Sequence, residues 1–149
     1  MTLLIQLATT WAMTGVIWFV QLVQYPSFEQ VGSSSCPAFH AHHSASISLI
    51  VAPLMIAEAL SALAFVWVPL RVQTPLQIWV GIGLVGIIWA STFLLQVPAH
   101  SKLGTGFDQG TWRFLVGTNW IRTIAWSARA ALVSYWLYET LSLSRRLGA

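Results

Sequence analysis

Residues 37–58 read PAFHAHHSASISLIVAPLMIAE. Three of the four histidines of the protein, His40, His42 and His43, lead into an apolar run that takes in a carboxylate, Glu58. A charge in such a place is costly in lipid and persists where it has a partner and a use. The run from 46 to 70 is long enough for the roughly 20 residues that cross a bilayer. Three more runs of the same kind lie at 3–24, 75–98 and 114–143. The pattern predicts an all-α fold: a single transmembrane domain over residues 1–149, built as an antiparallel, up-down-up-down bundle of four helices.

Composition agrees. The 149-residue chain is 56% apolar and 7% charged, where soluble proteins carry about 25% charged residues. Its mean hydropathy is +0.70. The net charge of +3 comes from seven scattered basic residues, with no basic stripe for a nucleic acid to follow. The single cysteine, Cys36, excludes an intrachain disulfide. The first run lacks a basic start and exceeds the apolar region of a signal peptide, about 7–15 residues, so it reads as a retained span. Membrane lipid is the expected neighbour, and an oligomer is left open.

Polar residues inside the spans fall on lines. In span one, Thr14, Gln21 and Gln24, joined by Trp11 and Trp18, recur at helical spacing and share a face expected to point inward. Residues 33–35, all serine, are placed to cap the second helix, with Pro37 in its first turn. Gly81, Gly83 and Gly86 match G-x-G-x-x-G, but no strand precedes them. They read instead as small residues that let helices approach closely. Trp89, Thr92, Gln96 and His100 form another line, and Asn119, Arg122, Trp126 and Arg129 share a face of span four. Gln24-Tyr25-Pro26 and Gln96-Val97-Pro98 echo one another 72 residues apart, as in a duplicated helical hairpin.

Antiparallel spans on short loops bring the ends of spans one and three beside the starts of two and four. Gln21, Gln24, His40, His43, Gln96, His100, Asn119 and Arg122 then meet at one membrane face. His40 and His43 are an i, i+3 pair. With His100 they offer three nitrogens to a metal, with Glu29 or Asp108 as a fourth ligand, and imidazole suits zinc, copper or iron alike. The plainer reading has them bonded to water and loop carbonyls at the interface. Glu58 lies eighteen residues beyond His40, about 27 Å along a helix, on the same face but out of reach. Its depth matches that of Arg129, which predicts a buried ion pair; an acid–base role below the histidines is the functional alternative. Trp18, Trp89 and Trp126 either line an aromatic pocket or pack the core. The positive-inside rule sets Arg71, Arg145 and Arg146 against Lys102 and Arg113. That balance places the termini in the cytoplasm and the histidine-rich face outside.

Five segments together carry a resemblance: Gln24-Tyr25-Pro26, Phe39-His40-x-x-His43, Pro53-Leu-Met-x-x-Glu58, Gln96-Val-Pro98-x-His100 and Thr118-Asn119-Trp120-x-Arg122-Thr123-x-x-Trp126-x-x-Arg129. The chain resembles, over most of its length, the anthrone-oxygenase-like family of small four-helix membrane proteins. The resemblance implies that fold and, from members linked to the oxidation of aromatic anthrones to quinones, an oxidoreductase of oxygenase type acting on a small apolar or aromatic molecule. On this expectation His40, His43 and His100 hold a metal or exchange protons. Glu58 acts as acid or base, while Arg122 and Asn119 orient an oxygen of the substrate. Gln24, Gln96, Trp126 and Arg129 complete a cofactor-binding wall. Two rivals stand beside it. One is a haem- or quinone-binding electron-transfer protein with His40 or His43 opposite His100. The other is a non-enzymatic carrier or assembly subunit held together by Glu58 and Arg129.

Overall fold

Prolines and short polar caps divide the chain into four long helices. The computed structural model describes residues 1–31 and 36–148. Helix α1 is Thr2–Gln30, α2 is Cys36–Trp67, α3 is Pro75–Leu103 and α4 is Gln109–Leu147. No strand occurs among the described residues. The serines expected to cap α2 lie outside them. Helix α3 opens on a capping box: the Thr74 hydroxyl accepts from the Gln77 backbone N–H, and the Gln77 side chain accepts from that of Thr74. Helix α4 opens on Asp108, whose carboxylate accepts the Thr111 backbone N–H at 2.8 Å. The Thr111 hydrogen bonds hold the Asp108 carboxyl below its ordinary value.

One π-helical turn interrupts α1, at Val20–Gln24, and one interrupts α3, at Thr92–Gln96. Each stands just before a proline, Pro26 or Pro98. Proline has no N–H to donate and its ring presses on the carbonyl four residues back, so the ladder yields there. The N–H of Tyr25 reaches the Val20 carbonyl and that of Val97 reaches Thr92, each five residues back. The Gln-x-Pro echo thus marks two π turns at equivalent places. Pro53, by contrast, sits inside α2 without ending it.

Helix α1 packs on α2 and α4, and α3 on α4; the seam between α2 and α3 is the most sparsely packed of the four. The apolar core forms three layers. Phe65, Ile78, Val133 and Trp136 make one, with Leu3 and Leu7 against it. Met13, Ile17, Met55, Ile88, Ala125 and Trp126 make the middle one. Val20, Tyr25, Phe28, Ala99, Leu103 and Leu115 make the third.

Polarity is inverted relative to a soluble domain. Gln6, Thr10, Gln21, Glu58, Gln96, Asn119, Thr123 and Arg129 are buried, while Leu49, Leu60, Leu76 and Leu94 stand on the outer surface. Three helical segments are long and apolar enough to cross a membrane: Thr2–Gln30, Pro37–Trp67 and Pro75–Leu103. Helix α4, expected as a fourth, does not reach that threshold by composition. Its arginines lower its apolar content, although Arg122 and Arg129 are both buried.

Two expectations about faces need correction. Trp11 and Trp18 point outward, not inward, because their long indoles reach round α1 to donate to Ser134 and Ser127 of α4. Of the three spaced glycines only Gly81 faces a neighbour, with Trp136 3.4 Å and Leu132 3.5 Å from where a Cβ would sit; Gly83 and Gly86 meet nothing. Alanine at 81 makes ordinary contacts, whereas Gly81→Leu drives a branched side chain into Trp136. A loss of about 1–3 kcal/mol is expected for the leucine variant, read by unfolding in mixed micelles, with Gly81→Ala near wild type.

Candidate functional site

The π turn of α1 carries Gln21 and delivers Tyr25, and that of α3 carries Thr92 and Gln96 and delivers His100 one turn later. These residues meet His40 of α2 and Asn119 and Arg122 of α4 in one buried network. Arg122 donates Nε and Nη2 to Asn119 Oδ1, at 2.9 and 2.6 Å, Nη2 also to the Tyr25 hydroxyl at 3.2 Å, and Nη1 to the Thr92 hydroxyl at 3.3 Å. Asn119 Nδ2 donates to Gln21 Oε1 at 2.9 Å, and Gln21 Nε2 to the Val116 carbonyl.

Proton positions follow from the network. A guanidinium only donates, so the Tyr25 oxygen is an acceptor towards Arg122 and its single proton goes to His100 Nε2, 2.9 Å away. His100 then carries its own proton on Nδ1 and donates it to His40 Nε2 at 2.8 Å. The result is a directed chain from Arg122 through Tyr25 and His100 to His40, near the start of α2. Phe28 braces it, with its ring edge-on to His40 and His43 at 5.1 Å each.

Arg122 is 7% exposed and, among the described residues, has no carboxylate partner. Its charge is met by dipoles alone. It borders a cavity of about 130 Å³ with an apolar wall that includes Met13, Ile17, Val51 and Trp126, and with Tyr25, His43, Gln96 and His100 at its polar end. An apolar cavity of about 150 Å³ is large enough for benzene. Two grooves at the α2–α3 seam adjoin it. One shares Ser48, Val51 and Thr92 with the cavity and is flanked by Trp89 and Phe93; the other shares Ile47, Ser48, Val97 and His100.

A second polar cluster lies deeper. Glu58 Oε1 accepts from Thr10 Oγ1 and Arg129 Nε, both at 2.8 Å, and Oε2 accepts from Trp126 Nε1 at 2.8 Å. Arg129 also donates to the Gly81 carbonyl. The ion pair expected from depth along the helices is therefore present, with both side chains almost wholly buried. Glu58 and Arg129 do not border the cavity; Trp126 does, and links the two clusters.

The expected metal site is not formed. His100 uses both ring nitrogens, on Tyr25 and on His40, which leaves neither free for a metal as the side chains stand. Glu29 is exposed and Asp108 is bonded to Thr111 and paired with Lys102. Among the described residues no three His, Cys, Asp or Glu side chains are grouped to hold a metal. Haem ligation by His40 and His100 does not fit, since nitrogens on opposite sides of one iron would stand roughly 4 Å apart, at about 2 Å from each to the metal. Those of His40 and His100 are 2.8 Å apart. Gln24 is half-buried and outside the cavity wall. Thr92, expected on the polar line with Gln96 and His100, joins the site through Arg122; Tyr25 and Phe28 join it unforeseen, and the one signal was the proline after Tyr25.

Comparison with known proteins returns no matching family model, no matching curated protein and no matching solved structure.

Proposed function

We propose that this is an integral membrane protein, an antiparallel up-down-up-down bundle whose cavity takes a small apolar or aromatic molecule bearing an oxygen, received sideways from the lipid. The three core layers support the topology: residue numbers rise through them in α1 and α3 and fall in α2 and α4. The inverted polarity supports insertion, because a polar interior under an apolar surface suits lipid as solvent. Helix α4 spans as well on this reading, with its charges turned inward. The basic residues beyond the spans, Arg71, Arg145 and Arg146 against Lys102 and Arg113, favour cytoplasmic termini and an outward-facing site.

The carrying observation is Arg122, a buried cation without a carboxylate, at the polar end of an apolar cavity. Such a group favours an oxygen that holds or develops negative charge. Tyr25, His100 and His40 provide the route for a proton. What this route supplies is acid–base chemistry at the polar end of the cavity. The sparsely packed seam between α2 and α3, with its two adjoining grooves, supplies the entry from lipid.

The test uses phenol and toluene, which have nearly the same shape. Purified protein in lipid nanodiscs binds phenol the more tightly after correction for partition into protein-free discs. Arg122→Met removes that preference while toluene binding stays. The expected loss is about 10- to 100-fold, as for hydrogen bonds to a charged group. Equal binding of the two by the wild-type protein overturns the reading.

A further inference from the structure

Gln96 holds a buried site atom that the Arg122 network leaves unmatched. Its side chain is 1% exposed and borders the cavity, and its Oε1 has no hydrogen-bond partner. Which end of the amide is oxygen follows from its neighbour. The Thr118 hydroxyl gives its only proton to the Phe114 carbonyl, at 2.7 Å, so towards Gln96 it accepts. The end of Gln96 that faces Thr118, at 2.9 Å, is therefore the NH₂. The carbonyl end is an acceptor without a donor, on a residue that borders the cavity. A buried unmatched acceptor is costly, and any ligand that brings a donor relieves that cost.

The geometry points to a hydroxyl compound as the ligand: a small alcohol or phenol whose O–H donates to Gln96 Oε1 while its oxygen accepts from Arg122. This rests on the reading of the cavity as a ligand site and narrows the class of ligand. One hydroxyl serves both groups, because it is a donor and an acceptor at once. A ketone, quinone or ether meets Arg122 alone and leaves Gln96 as it was. The volume of about 130 Å³ sets the size at one ring or its aliphatic equivalent. Gln96 is thus a specificity-determining residue, and its anchor Thr118 fixes which chemistry it selects.

Benzyl alcohol and benzaldehyde test this directly, since they have the same heavy-atom skeleton and differ in the donor. Binding to protein in lipid nanodiscs is measured for both, corrected for partition into protein-free discs. The wild-type protein is expected to prefer benzyl alcohol by about tenfold or more. Gln96→Met abolishes that preference and leaves benzaldehyde affinity unchanged, which also reports an intact cavity. If the methionine variant fails to fold, Gln96→Asn withdraws the oxygen by one methylene and reduces the preference in the same direction. Equal binding of the two compounds by a protein that still prefers phenol to toluene overturns the role of Gln96 and leaves the cavity reading standing. Failure of every compound to bind overturns both.

Discussion

Glu58→Leu alone is expected to destabilise the protein by about 3–5 kcal/mol, the cost of leaving a buried charge without its partner. Glu58 collects three donors, from Thr10, Arg129 and Trp126, and has no solvent to replace any of them. Its loss leaves the Arg129 guanidinium facing the Gly81 carbonyl in a low-dielectric interior. The double variant Glu58→Leu with Arg129→Leu removes both charges and is expected to recover most of the loss, since an apolar pair of similar volume is often neutral or stabilising. Glu58→Gln should fall between, because an amide oxygen still accepts from Trp126 or Thr10. Reversible unfolding in mixed micelles orders the three. A Glu58→Leu protein as stable as wild type rules out the ion pair as a structural clamp.

Trp126→Ala has an effect of the same size and a functional signature. Trp126 is wholly buried in the middle core layer, borders the cavity and donates to Glu58. Truncation costs about 3–5 kcal/mol for the lost side chain, and it leaves Glu58 Oε2 unmatched. The space released opens onto the existing cavity, so the ligand range should widen. Two-ring compounds such as 2-naphthol, too large for about 130 Å³, are expected to bind the variant and to restore part of its stability by mass action. Trp126→Phe keeps most of the volume and separates the two effects: it should lose the Glu58 bond, about 1–3 kcal/mol, without admitting the larger ligand. Thermal midpoints with and without 2-naphthol decide the matter.

Much of this was legible in the chain because long regular helices obey simple counting. Eighteen residues at a fixed rise put Glu58 far from His40, and the same count from the other helix put Arg129 at its level, where the pair is found. The gathering of Gln21, His40, Gln96, His100, Asn119 and Arg122 came from loop lengths and alternation alone. What counting missed depends on which atom of a side chain faces which. The spacing of His40, His43 and His100 was compatible with a metal, but spacing says nothing about nitrogens, and two of the rings bond to each other. Tyr25 was passed over because a tyrosine before a proline reads as the end of a span. Gln6, Thr9 and Thr10 went unnoticed as buried residues because a few uncharged polar side chains in an apolar run carry little signal. Trp11 and Trp18 misled for the opposite reason: their rings are long enough to sit outside and still reach a serine on the next helix.

The two π turns carry a consequence for angular register. A turn that closes over five residues holds one more than its α-helical counterpart, so everything after it is set back by one residue, about 100° around the axis. Helical-wheel arithmetic carried from Gln21 towards the loop therefore loses its phase within the π turn. Gln24, placed on the inner face by that arithmetic, is half-buried, and Tyr25 is the residue turned fully inward. A chain lacking one residue between 20 and 24, or between 92 and 96, would keep its apolar character and nearly all of its length and sequence. It would rotate Tyr25 or His100 away from the other, and the site would be gone at the cost of a single-residue gap.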